Sequence, residues 1–176
     1  MNALIFVVET LLKGALFVVL LRLLMQWSRA DFRNPISQAV VQLTNPVIMP
    51  LRRILPPVGK LDSASVVAVV IMALIEVGAV YAMTDFELPP LVPWLRGAAL
   101  EIVRTTLWTY FYAIFLYALL SLIAPGGYSP VQALLTSLCE PVLRPIRRLI
   151  PPVGGLDLSP LWAGIAIQAL IILLHY

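Results

Sequence analysis

The chain of 176 residues has a single cysteine, Cys139, and a single histidine, His175. They lie far apart in sequence, so neither a zinc-binding set nor a cysteine–histidine nucleophile pair can be assembled from them. No disulfide can close within one chain either. Cys139 reads as a small apolar residue, and His175, beside Tyr176, as an interfacial anchor. A phosphate-cradling glycine loop, a Gly-x-Ser-x-Gly elbow and a His-Glu-x-x-His helix are also missing. The sequence therefore offers no catalytic, cofactor-binding or metal-binding residues, and the chain is not read as an enzyme. Charge is scarce as well: Asp, Glu, Lys and Arg make up 12% of the residues, against about 25% in soluble domains. The net charge of +3 comes from a handful of basic residues without an aromatic stacking set, which argues against direct contact with nucleic acid.

What is abundant is apolar surface. Hydrophobic residues are 61% of the chain, against about 45–50% in soluble domains, and a soluble protein of this size has nowhere to bury them. Four stretches reach the roughly 20 residues needed to cross a bilayer: about 4–26, 64–84, 101–123 and 158–175. The first lacks a basic leading region, its apolar run is too long for a secretory signal, and no small-x-small cleavage site follows Trp27. It is read as a retained helix.

One segment occurs twice. Asn45-Pro46-Val-Ile-Met-Pro50-Leu-Arg52-Arg53-Ile-Leu-Pro56-Pro57-Val-Gly59-Lys-Leu-Asp62 returns as Glu140-Pro141-Val-Leu-Arg-Pro145-Ile-Arg147-Arg148-Leu-Ile-Pro151-Pro152-Val-Gly154-Gly-Leu-Asp157. The offset is 95 throughout, without a gap, and Pro35 and Pro130 keep the same register upstream. A repeat of this kind outranks other signals of architecture. The chain reads as a tandem duplication: residues 1–84 with spans at about 4–26 and 64–84, a periplasmic linker at 85–97, and residues 98–176 with spans at about 101–123 and 158–175. Two spans per unit insert both units the same way round, so a twofold axis along the membrane normal is expected, not an inversion.

The long connection inside each unit carries the cations: Arg29, Arg33, Arg52, Arg53 and Lys60 in one, Arg144, Arg147 and Arg148 in the other. The connection between units has Asp85, Glu87 and only Arg96. The positive-inside rule puts both arginine-rich connections in the cytoplasm and both termini in the periplasm. Within them, Ile36, Ala39, Val40, Leu43 and Val47, and in the copy Val131, Leu134, Leu135, Leu138 and Val142, fall at helical spacing opposite polar residues. That predicts a short amphipathic helix in the interface plane, ending near Asn45, which would cap a further turn opened by Pro46. Pro50 predicts a bend or break within 46–55. The arginine pairs Arg52–Arg53 and Arg147–Arg148 are candidate binders of anionic lipid phosphates, at about 1 kcal/mol per basic residue; a purely topogenic role is the simpler reading.

Charges inside spans are costly, by about 2.5–3.5 kcal/mol each on the insertion scale. The candidates for intramembrane ion pairs are Glu9, Lys13, Glu76, Glu101 and Arg104, while Arg22 is close enough to the cytoplasmic end to snorkel. Glu9 and Lys13 lie four apart on one helix face and can pair locally. Depth arithmetic puts Lys13 and Glu76 both about 3 Å outward of the midplane, which predicts an interhelical Lys13–Glu76 contact within reach of Glu9. The offset of 95 places Trp108 and Ile171 at the matching positions.

The pattern Asn/Glu-Pro, Pro-x-Arg-Arg, Pro-Pro-x-Gly, x-Asp resembles the YggT family of small bacterial membrane proteins, with YlmG-type relatives in Gram-positive bacteria and plastids. The resemblance covers nearly the whole chain and matches the two-repeat proteobacterial form. The second unit has the family's Asp-Leu-Ser-Pro ending, at Asp157 to Pro160, whereas the first reads Asp62-Ser63-Ala64-Ser65. The resemblance implies roles in envelope stress and osmotic-shock tolerance, in cell division or shape, and in plastids in nucleoid distribution and assembly of a membrane cytochrome complex. Taken together, the expectation is an all-α membrane protein of four transmembrane helices in two tandem two-span repeats, each with a cytoplasmic interfacial amphipathic helix and a proline- and arginine-rich turn. It sits in the bacterial inner membrane, and its expected partners are anionic lipids, other membrane proteins and further copies of itself. An envelope-homeostasis or assembly factor is the first functional reading. A small channel or transport modulator active under osmotic stress is the second.

Overall fold

The computed structural model describes residues 3–56, 62–85, 89–123, 129–150 and 157–174, and among these every regular element is a helix. Six helices follow one another: α1 (Ala3–Trp27), α2 (Pro35–Ile54), α3 (Ser63–Asp85), α4 (Leu91–Ile123), α5 (Pro130–Leu149) and α6 (Ser159–Leu173). Three of them, α1, α3 and α4, are long and apolar enough to cross a membrane. The fourth expected span is helical as α6, but its 15 residues rise only about 22 Å, less than the roughly 30 Å of a hydrocarbon core.

Two expected boundaries are corrected. Helix α4 starts at Leu91, ten residues ahead of the expected span, so most of the linker assigned to 85–97 is helix. The apolar run Leu91, Val92, Trp94 and Leu95 continues the spanning pattern. Pro89, Pro90 and Pro93 sit where a helix start leaves N–H groups unpaired anyway, and the Trp94 N–H closes the first turn on the Pro90 carbonyl at 3.0 Å.

The interfacial helices are also longer than expected. Helix α2 does not stop at Asn45 but runs through Pro46 and Pro50 to Ile54, and α5 runs through Pro141 and Pro145 to Leu149. Prolines four apart share one helix face, so the lost N–H donors fall along a single edge and the ladder on the other faces survives. The true starts lie upstream. Asn34 Oδ1 accepts the Ile36 N–H at 2.9 Å, and Ser129 Oγ accepts the Gln132 N–H at 3.1 Å, each just before a proline at the first helical position. The buried stripe is Val40, Thr44 and Ile48 in α2 and Leu135, Cys139 and Leu143 in α5, matching positions at the offset of 95. Leu43 of the same apolar set is 70% exposed.

Backbone proximity divides the chain into two compact units, Met1–Leu23 with Val40–Thr105 and Leu24–Ala39 with Thr106–Tyr176. They do not coincide with the sequence repeats, because residues 91–105 of α4 belong to the unit that holds most of α1 and all of α3. Within that unit Gly78 of α3 admits the Trp94 ring of α4, and the indole Nε1 donates to the Leu74 carbonyl at 2.8 Å. A Cβ at Gly78 would lie 3.0 Å from Trp94 Cζ2 and 3.2 Å from Nε1. Gly78→Ala is therefore expected to destabilise the protein by about 1–3 kcal/mol through overpacking, read as thermal unfolding in detergent. The loss should shrink in a Trp94→Ala background, and an equal loss in both would show that the ring is not the obstacle.

Candidate functional site

Each of the two amphipathic helices, α2 and α5, has near its end an arginine that reaches the aspartate ten residues ahead, at the entrance to the next helix. In the first unit, Arg52 Nε and Nη2 both donate to Asp62 Oδ2, the first at 3.1 Å, and Ser65 Oγ donates to the same oxygen at 2.7 Å. Ser63 Oγ donates to the Pro56 carbonyl at 2.7 Å, a second stitch across the same turn. In the second unit, Arg147 Nε donates to Asp157 Oδ2 at 2.8 Å, Nη1 to Glu140 Oε2 at 2.9 Å and Nη2 to the Tyr117 hydroxyl at 3.2 Å. Asp157 Oδ1 in turn accepts the Ser159 N–H at 2.9 Å, at the start of α6. The motif prolines Pro46, Pro50, Pro141 and Pro145 lie inside the helices, and Pro56 just beyond α2. Pro57, Gly59, Pro151, Pro152 and Gly154 lie outside the described residues.

Burial alone would raise the Asp62 carboxyl, but the hydrogen bonds from Arg52 and Ser65 and the charges of Arg52 and Arg22 outweigh it and hold the group below its ordinary range. Asp157 shows the same balance, with burial opposed by hydrogen bonding from Ser159 and Arg147. The arginine pairs thus split in role. Arg52 and Arg147 are engaged in the clips, Arg52 with its side chain still 47% exposed, while Arg53 and Arg148, together with Arg144, are exposed and outside the clips. The spacing of Arg52 and Arg147 from their aspartates was visible in the motif; that they would pair was not read from it. Burial, against a weaker pull from Arg147, pushes the Cys139 thiol up to about 12, which keeps it an unreactive apolar side chain.

Arg22 does not snorkel. It is 4% exposed, and its Nη1 donates to Thr44 Oγ1 at 2.7 Å and Asn45 Oδ1 at 3.0 Å, tying α1 to α2. Asn45, expected as a cap, is an acceptor for this guanidinium.

Four of the five span charges pair within their own helices, and the expected Lys13–Glu76 contact is not among the pairs. Lys13 pairs with Glu9 at 2.6 Å, and Arg104 with Glu101 at 3.3 Å; no ion pair joins Lys13 to Glu76. Matching depth does not set the direction a side chain points around its helix, whereas a glutamate four residues back is on the right face already. Glu76 is 4% exposed, and its Oε2 is buried without a hydrogen-bond partner. Glu101, Lys13, Glu9 and Arg104 are all within electrostatic reach of it. In the second compact unit an apolar groove of about 460 Å³ runs between α4 and α6, lined by Phe111, Ile114, Ala118, Pro160 and Gly164, with Gln168 as its polar residue.

A family model described as CCB3/YggT matches residues 1–83 and again 97–176. The chain is 40% identical over 161 residues to the Uncharacterized protein YggT of Escherichia coli (strain K12), covering 92% of this chain and 83% of that protein. It is 39% identical over 172 residues to an uncharacterized protein of Pseudomonas aeruginosa, covering 95% and 85%. To the Uncharacterized protein in proC 3'region of Vibrio alginolyticus it is 37% identical over 169 residues, covering 96% and 91%. No solved structure matches the chain.

The clips carry a pH dependence and an order of importance. Both carboxyls ionise below their ordinary value of 3.8, so their contribution to stability is complete above that pH and is lost as pH falls through the lowered range. The Asp62 side chain is 4% exposed against 39% for Asp157, and Arg147 keeps Glu140 when Asp157 is removed. Asp62→Asn should cost about 1.5–3 kcal/mol, and Asp157→Asn about 1 kcal/mol or less. Unfolding in detergent at neutral pH and at pH near 3 measures both; equal losses for the two variants would contradict the ranking.

Proposed function

The chain belongs to the CCB3/YggT family, and from that premise we propose a non-enzymatic protein of the bacterial inner membrane that acts through anionic lipids and partner membrane proteins, as an envelope-homeostasis or assembly factor. The observation that carries this reading is the division of labour in the arginine pairs. One guanidinium of each pair is engaged in a clip at the end of its helix, while Arg53 in one unit and Arg148, with Arg144 beside it, in the other are exposed and outside the clips. A cation fixed at that level attracts anionic phosphate at about 1 kcal/mol each. The apolar groove between α4 and α6 offers an acyl chain a place in the second unit.

In this reading α6 is the fourth crossing. Its shortness is accommodated by local thinning of the bilayer and by its flanking residues, as hydrophobic mismatch allows. Both arginine-bearing helices then lie on the cytoplasmic side and both termini in the periplasm, in keeping with the positive-inside rule. A second reading, a small channel or transport modulator working under osmotic stress, draws on the cluster of span charges around Glu76.

Two measurements test the proposal. Native mass spectrometry of the protein with phosphatidylglycerol should show about fivefold weaker binding for each of Arg53→Gln and Arg148→Gln, the change that ~1 kcal/mol implies, with neutral phosphatidylcholine unaffected. Unchanged binding in the double variant would leave these arginines a topogenic role only. Reporter fusions at residues 60, 90, 155 and 176 should read cytoplasmic, periplasmic, cytoplasmic and periplasmic in turn, and a cytoplasmic C-terminus would overturn the fourth crossing.

A further inference from the structure

The charged side chains around Glu76 in the first compact unit do not balance. Three carboxyls, Glu9, Glu76 and Glu101, are grouped with two cations, Lys13 and Arg104. Both cations are already committed, Lys13 to Glu9 at 2.6 Å and Arg104 to Glu101 at 3.3 Å. Glu76 is the odd carboxyl. It is 4% exposed, and its Oε2 is enclosed without a hydrogen-bond partner. Its position is about 20 Å along α3 from Ser63 and about 12 Å from Thr84, too deep for a glutamate to reach the headgroups. The charged groups that face it are Glu9 and Lys13 on α1 and Glu101 and Arg104 on α4.

An ionised carboxylate enclosed in this way has no counter-ion of its own, and a buried acid in that position neutralises. Among the described residues no group of three or more acidic, histidine or cysteine side chains is placed to hold a metal ion. We propose that Glu76 is a proton-binding site within the membrane, its carboxyl carrying one exchangeable proton that brings the five-residue cluster to neutrality. The proton is taken from water and returned to it, and no other bond changes. The site belongs to the first unit alone, because the offset of 95 places Ile171 at the matching position. This inference is independent of the lipid-directed reading above: it concerns a different set of residues and stands whether or not the arginines bind lipid.

Infrared spectroscopy of the full chain in liposomes reads the proton directly, through the carbonyl stretch of a protonated carboxylic acid and its shift in heavy water. The band is expected at neutral pH, is lost in Glu76→Gln, survives in Glu76→Asp, and disappears on alkalinisation. Dicyclohexylcarbodiimide, which reaches protonated carboxyls from the lipid phase, should modify Glu76 in the unaltered chain, located by peptide mapping; that arm does not depend on a variant folding. Added sodium at constant pH should change neither signal. The proposal is overturned by the absence of a Glu76-dependent band, by an adduct on Glu9 or Glu101 in place of Glu76, or by loss of the band on adding sodium, which would make the occupant a metal cation.

Discussion

Prolines strip the backbone of the hydrogen bonds that would ordinarily hold the connection between an interfacial helix and the next span, so side chains have to hold it. Two prolines lie inside α2 and two inside α5, and a further pair follows each arginine pair in the sequence. None of these residues has an N–H to contribute. The bond from Arg52 to Asp62, and its counterpart from Arg147 to Asp157, closes each connection from one helix end to the next helix start. The planar guanidinium suits this task, because it offers several donors in a fixed geometry and keeps its charge wherever it is placed. Everything the two interfacial helices present outward, including Arg53 and Arg148, depends on that closure.

The two halves use the same clip with different support. In the first, Asp62 is buried and receives Ser65 as well as Arg52, and a separate guanidinium, Arg22, ties the preceding span to α2 through Thr44 and Asn45. In the second, Tyr117 stands at the position of Arg22 and Glu140 at that of Asn45, and both bind the clip arginine itself. One half therefore spreads two cations over two ties, while the other concentrates one cation on three acceptors. Both copies of the motif keep the clip, while the residues around them differ, so that each half satisfies its arginines in its own way. The same divergence left carboxyls and cations in the first compact unit and Trp108 and Ile171 at the matching places of the second.

Much of this architecture is legible without coordinates. Apolar runs long enough to cross a bilayer, an ungapped repeat at an offset of 95 and the clustering of arginines in two connections read as a helical membrane protein, because hydrocarbon tolerates only segments that satisfy their own backbone. The boundaries were less legible. Pro46 and Pro50 looked like interruptions, since the cost of a proline is local and visible in the sequence, while the surviving bonds on the other faces of the helix are not. Leu91 to Leu95 looked like part of a linker because Asp85, Glu87 and Arg96 drew attention to its charge.

Pairing was the part that only the tertiary structure decided. Composition and periodicity set which residues lie at which depth, and so Glu9, Lys13, Glu76, Glu101 and Arg104 stood out from the sequence alone as charges in costly places. Whether Lys13 reaches Glu76 or turns to Glu9 depends on how each helix is rotated about its own axis, and that rotation is set by close contacts such as Trp94 against Gly78. In the same way, the arginine pairs were evident as motif, but which guanidinium of each pair faces an aspartate and which faces outward follows from the turn that brings Asp62 and Asp157 back to the helix end. Sequence determines an inventory of charges and their positions along each helix; packing assigns the partners between helices, because direction around a helix axis is a property of the assembled helices and not of any one of them.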